Sequence, residues 1–207
     1  MPVIESVILE SPEPEATEAF YSAAFGLGDK LRIRATEAPT TGFRGYVLSL
    51  VVSQPGTVDL LTGAALERGA TSLKPARKSF WGYGGIVRAP DGAIWKIATS
   101  AKKDTAPATR EIDAFVLLLG VDDVKTTKQF YTDRGLTVAK SFGSKYVEFD
   151  TTPSLVKLAM YTRRAAAKDA GIDPEGTGSR RIAISAAGDQ NFTDPDGLAW
   201  QVGHVRA

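Results

Sequence analysis

Residues 20–27 read FYSAAFGL, and residues 130–136 read FYTDRGL. Further along, residues 89–97 read APDGAIWKI and residues 194–202 read DPDGLAWQV. Phe20 and Phe130 stand 110 positions apart, Pro90 and Pro195 105. Two anchors therefore recur in the same order, with Tyr, Pro and Trp in register. A repeat of this size says that the chain is built twice on one plan, so whatever fold serves one half must serve the other. Between the copies lies AKKDTAPATRE, residues 101–111, charged, small and Pro-containing, with no apolar period. It reads as a linker between a domain of residues 1–100 and a domain of residues 112–207.

Each half reads as a strand, a helix and further strands. The run 3–10 is β-rich and stops at Ser11-Pro12. Ala16, Ala19, Phe20, Ala23 and Ala24 make a helical stripe over 13–25, closed by Gly26. Strands are expected at 31–36, 46–52 and 94–100, with a helix at 57–68. In the second half strands are expected at 112–121, 136–142, 145–150, 155–161, 181–186 and 198–204, with helices at 123–134 and 163–170. Asp122 or Asp123 is the expected N-cap of the first of these helices. The class is α+β with mixed sheets.

Composition removes several kinds of chemistry. With no Cys among 207 residues, disulfides, thiolate metal sites and Cys nucleophiles are excluded. A single His, His204, cannot supply a two-His metal triad and stands three residues from the end. The formal net charge of +1 gives no field toward nucleic acid or an anionic membrane. The basic cluster Lys74, Arg77 and Lys78 lacks the extent of a nucleic-acid patch. The N-terminus has acids too early for a signal peptide, and the longest apolar run, 114–119, is strand-sized. A cytoplasmic protein is expected, with neither nucleic acid nor membrane as partner.

An opening strand, a helix ending in FY…GL, and a Pro-Asp-Gly turn into a last strand resemble the vicinal oxygen chelate superfamily, which includes glyoxalase I, the bleomycin resistance proteins and the extradiol dioxygenases. Gly69-Ala70, Trp81-Gly82 and the stretch from Phe192 to Gly197 add to the resemblance. It implies two tandem glyoxalase-like domains built from βαβββ-type units, whose curved mixed sheets enclose a cupped pocket. Two stretches depart from the pattern. Only nine residues separate Thr36 from Tyr46, too few for the usual strands, and 184–192 has no room for a second helix. In metal-dependent members ligands sit in the first and last strands of a unit. The corresponding positions here fall near Ser6, Tyr46, Val116 and Arg180 or Arg181, and on Lys96 and Gln201, four residues after Gly92 and Gly197. A slip of one residue brings in Glu5 alone. The expectation is a family scaffold with no metal and no cofactor.

The site candidates follow from strand alternation. Lys96 and Gln201 lie opposite Trp95, Ile97, Trp200 and Val202, among small neighbours such as Ala98, Ala199 and Gly203. They offer polar contacts to a ligand, or else lie on a solvated face. Phe80, Trp81 and Tyr83 either wall a pocket, together with Tyr46, or plug the end of a sheet. Tyr146 and Glu148 line the cup, with Lys157, Ala159 and Tyr161 beside them, if their polar face is the concave one; otherwise they face solvent. Asp91, Asp194 and Asp196 read as turn residues. The function expected from these residues and the resemblance is metal-free binding of a small, partly aromatic or apolar organic molecule, of sequestration or resistance type. A lyase or dioxygenase-type enzyme is the alternative, and an interaction module without a small ligand a third reading. The shortened halves leave sheet edges that a second copy would cover, so a homodimer is also an expectation.

Overall fold

The computed structural model describes residues 3–203; the expectation for His204 lies outside them. The first half runs β1 (Val3–Ser11), α1 (Pro14–Ala24), β2 (Leu31–Ala35), β3 (Thr40–Gly42), β4 (Tyr46–Val51), α2 (Pro55–Leu66), β5 (Thr71–Ser79), β6 (Gly82–Arg88) and β7 (Ile94–Thr99). The second runs β8 (Ala114–Val121), α3 (Val124–Asp133), β9 (Thr137–Phe142), β10 (Tyr146–Asp150), β11 (Val156–Thr162), α4 (Arg163–Ala170), β12 (Gly176–Gly178), β13 (Ile182–Ala187), β14 (Phe192–Thr193) and β15 (Ala199–Val202). The helices begin for legible reasons. Pro14 and Pro55 occupy first-turn positions, where a missing N–H costs nothing. Asp123 caps α3 by accepting from the N–H groups of Lys125 and Thr126. Alternation gives no strand between Gly69 and Ala93, yet β5 and β6 form a hairpin there. The β5 register shifts twice against β6, between Ser72 and Lys74 and again between Lys74 and Arg77, and this erases the two-residue period.

An eight-stranded sheet has the order β5-β6-β7-β4-β8-β11-β10-β9, and a five-stranded sheet the order β14-β15-β13-β1-β2. Each draws on both halves: β4 pairs antiparallel with β8, and β1 with β13. In the larger sheet both contributions are complete, a first strand with its parallel last strand beside it (β4 with β7, β8 with β11) and a hairpin outside. The smaller sheet is curtailed. Strand β2 lies parallel to β1, where a last strand belongs, so the missing hairpin precedes β2 rather than following it. Strand β15 lies parallel to β13 with only the two-residue β14 outside, and no helix separates β13 from β14. The short spacings in the sequence correspond to these two losses.

The sheets share one apolar core. Leu48, Leu50, Trp95, Ile97, Leu117, Leu119 and Leu158 of the larger sheet join Ile4, Val7, Leu9, Ile184 and Trp200 of the smaller in a single buried cluster, with Phe20, Tyr21 and Phe25 of the α1 region. The repeated sequence anchors touch each other inside it. The Tyr21 hydroxyl donates to Asp91 Oδ1 at 2.8 Å and accepts from Trp95 Nε1 at 3.2 Å. In the other half the Tyr131 hydroxyl donates to Asp194 Oδ2 at 2.7 Å and accepts from Trp200 Nε1 at 3.3 Å. Helix α1 leaves β1 of the smaller sheet while Trp95 lies in the larger, and α3 with Trp200 reverses this. Each lock thus ties one sheet to a helix of the other.

Segment 101–111 is strapped onto the first half. Gln54, buried, accepts from the N–H groups of Thr105 and Ala106 and donates to the carbonyls of Ala106 and Pro107. Asp104 accepts from the N–H of Gly56 in the first turn of α2, and Arg110 donates to the carbonyls of Ala23 and Ala24 at the end of α1.

Candidate ligand-binding cup

Alternation sorts the larger sheet into two faces. Leu48, Leu50, Trp95, Ile97, Leu117 and Leu119 point into the shared core. Val47, Ile86, Ile94, Leu118 and Ala159 point the other way and form a second apolar cluster with Phe43, Ala166, Ala167 and Ala170. The last three belong to α4, which therefore lies on the face opposite the core. Helix α4 comes close because its inward residues are alanines and because Gly120 lies beneath it. A Cβ on Gly120 would stand 3.2 Å from Arg163 Cα and 3.3 Å from Ala166 Cβ. The helix covers the middle of this face and leaves open ground on either side.

On the β5–β7 side there is a cavity of about 450 Å³. Its floor is low because the outward positions of β6 and β7 hold little side chain: Gly82, Gly84 and Ala98. A Cβ on Gly84 would approach Ala98 Cβ at 3.0 Å and Ile97 O at 2.9 Å. Lys74, Arg77 and Ser79, paired with Ile86, Gly84 and Gly82, form one wall. Lys96 rises from the floor, and its Nζ meets Asp169 Oδ2 of α4 at 2.7 Å. Lys74 Nζ donates to the carbonyls of Lys168 and Asp169, the last turn of the same helix, where a cation is favoured by the helix dipole. Trp81 stands at the mouth, at the tip of the β5–β6 hairpin, with Phe80 edge-on beside it at 5.0 Å between centroids. Trp81 is 83% exposed and Phe80 81%.

On the β9–β11 side the same face carries Tyr146, Glu148 and Tyr161. The Tyr146 hydroxyl donates to Glu148 Oε2 at 3.0 Å, and its ring lies 4.8 Å from that of Tyr161. Burial, and then the Glu148 carboxylate, push the Tyr146 hydroxyl well above the ordinary tyrosine range, so it stays a proton donor. Tyr161 is pushed up too, by burial first, with the Lys96 charge opposing.

Glyoxalase I from Zea mays superposes with a TM-score of 0.61 at 13% identity, over 97% of this chain and 91% of that one. A putative dioxygenase from Bacillus subtilis gives 0.61 at 12% identity, over 96% and 83%. The fold is that of glyoxalase I. Identities this low carry the fold and nothing of the chemistry. No family model matches the sequence, and neither does any curated protein.

The positions singled out by the sequence resemblance fall into two rows, one across each sheet. Pairing aligns Lys96 with Ser49, Ser49 with Val116, and Val116 with Lys157. The member from β4 is thus Ser49, not Tyr46. In the smaller sheet the row is Ser6, Ser185 and Gln201. Glu5 reaches this second row through a register shift between Ile4 and Ser6, and it accepts from Ser185 Oγ at 3.2 Å. Two lysines, a serine and a valine do not fit a divalent cation, and two serines with an amide and one carboxylate are little better. Among the described residues no group of three or more His, Asp or Glu could hold a metal.

The candidate residues do not all meet. Lys96, Trp81 and Tyr83 line one cavity. Gln201 lies on the smaller sheet, bonded to Arg34 at 2.9 Å, because the last strands of the two halves end in different sheets. Tyr46 is buried in the shared core, on the opposite face from Lys96, and burial pushes its hydroxyl up to about 12. The strand YVLSLV is apolar at nearly every position, so alternation gave it no face. Tyr83 shares the core-side face with Val87, and its hydroxyl donates to Asp59 of α2 at 2.8 Å. Phe80 packs on Trp81 rather than into the cavity. Tyr146 and Glu148 do lie on the outward face of the larger sheet, across α4 from Lys96. Sequence reasoning missed Lys74, Arg77 and Asp169 as site residues. The first two are three apart on one face because of the bulge, and Asp169 arrives on a helix whose position no local pattern reveals.

Proposed function

We propose that the protein binds a small organic molecule with an apolar ring, without a metal, in the cavity bounded by β5–β7, Trp81 and α4. One observation carries this reading. A two-residue hairpin tip places Phe80 and Trp81 more than four-fifths in solvent beside a glycine-floored cavity. Large apolar side chains at a turn contribute nothing to the core, and a turn of this length favours Asn and Gly instead. Stacking a ring on Trp81 gives that surface a partner. The donor rows support a metal-free site.

A thermal-shift screen of small aromatic and aliphatic molecules tests the proposal, because a ligand that binds only the folded state raises its melting temperature. The expected result is stabilisation by ring-containing compounds that disappears in Trp81→Ala. Hits that persist in Trp81→Ala, or a library with none, would overturn it. Pairing of a second copy along β2 or β14, the open edges of the smaller sheet, belongs to the same proposal; sedimentation at rising concentration reads it out.

A further inference from the structure

The cavity has a charge pattern that an apolar ring alone does not explain. Lys74, Arg77 and Lys96 face one carboxylate, Asp169, which comes from α4 rather than from the sheet. Arg77 is exposed and makes no ion pair among the described residues. Asp169 Oδ2 sits on Lys96 Nζ at 2.7 Å, with the Lys96 side chain 33% exposed and that of Asp169 44%. A pair this accessible is a modest one, and an incoming anion can replace it. The helix that carries Asp169 is eight residues long, ends at Gly171 in a left-handed conformation (φ 76°), and holds to the sheet by three alanines.

Resting on the binding reading above, we propose that the cavity takes a planar aromatic anion, its ring against Trp81 and its anionic group on Lys96 and Arg77, and that Asp169 holds the anion's seat until the ligand displaces it. A planar ring suits a floor on which Gly82, Gly84 and Ala98 leave little side chain between Lys96 and Trp81. The group is anionic because it must match cations that a neutral ligand would leave to Asp169. Asp169 is thus a built-in competitor, and its removal strengthens binding where the removal of most site residues weakens it.

Isothermal titration with 2-naphthoate and with 2-naphthamide tests this, since the two share a ring and differ in charge. The native protein is expected to bind the carboxylate in preference to the amide. Asp169→Asn is expected to tighten the carboxylate by up to about fivefold and to leave the amide unchanged, a magnitude suited to a partly exposed charge pair. Should Asp169→Asn loosen α4, Arg77→Gln replaces it, because Arg77 makes no ion pair among the described residues; it is expected to weaken the carboxylate alone. Equal binding of both probes, with neither variant separating them, would overturn the anion seat and leave the ring-binding reading standing. Binding of neither probe, or binding indifferent to Trp81→Ala, would remove both.

Discussion

At the level of single residues the most informative contacts are the two Tyr–Trp–Asp locks. Tyr131 is fully buried between Asp194 and Trp200, and burial holds its hydroxyl protonated well beyond the ordinary range. The Asp194 carboxyl is itself raised by burial, against the pull of Tyr131 and the Leu198 N–H. Tyr131→Phe leaves a buried carboxylate oxygen and an indole N–H without their partner, and is expected to destabilise by about 1–3 kcal/mol, read by urea denaturation. A loss under half a kcal/mol would show that water substitutes. Asp123 gives a pH signature. Its carboxyl is held below the ordinary range by the Thr126 and Lys125 N–H groups, so its stabilisation is present above the unfolded value of about 3.9 and is lost as pH falls through the lower folded value. Asp123→Ala should therefore lower the melting temperature at pH 7, and by less at pH 3. An equal loss at both would assign the effect to helix propensity.

Among the elements, α4 and the β5–β6 hairpin bound the proposed site, and they were the least legible. Lys96 could be placed on its face because Trp95 and Ile97 flank it with buried apolar side chains. The locks were foreshadowed as well, since the repeat put Tyr and Trp in register twice. The hairpin was hidden by its bulges. The location of α4 was hidden because an alanine-rich helix says how closely it packs and not against what. The pairing of β4 with β8 and β1 with β13 joins strands far apart in sequence, which no local pattern encodes. Gly120→Val tests the seat of α4. The new side chain would press on Arg163 and Ala166, at a cost of about 1–3 kcal/mol. Hydrogen exchange of the 165–170 amides should speed up while that of β4 and β8 holds. Unchanged protection over 165–170 would place the helix elsewhere.

For the molecule as a whole, one complete sheet and one curtailed sheet break the symmetry of the plan repeated in the sequence, and the cup walled by the β5–β6 hairpin, Trp81 and α4 lies on the complete one. The row across the larger sheet has neither carboxylate nor imidazole, and the row across the smaller has Glu5 alone. Incubation with a chelator is therefore expected to leave the melting temperature unchanged, and elemental analysis to find no stoichiometric zinc, nickel, manganese or iron; a metal lost on replacing Ser6, Lys96, Val116 or Gln201 would contradict this. The claim that matters most is where a ligand sits, and the chain carries its own reporters. It has three tryptophans. Trp95 and Trp200 are buried, with their indole N–H groups bonded to Tyr21 and Tyr131, while Trp81 is exposed at the cup. A ¹⁵N-labelled sample titrated with 2-naphthoate should show the Trp81 indole signal moving to saturation while the Trp95 and Trp200 signals hold. Movement of the Trp200 signal would place the ligand at the curtailed sheet, and a stationary Trp81 signal would leave the cup without an occupant.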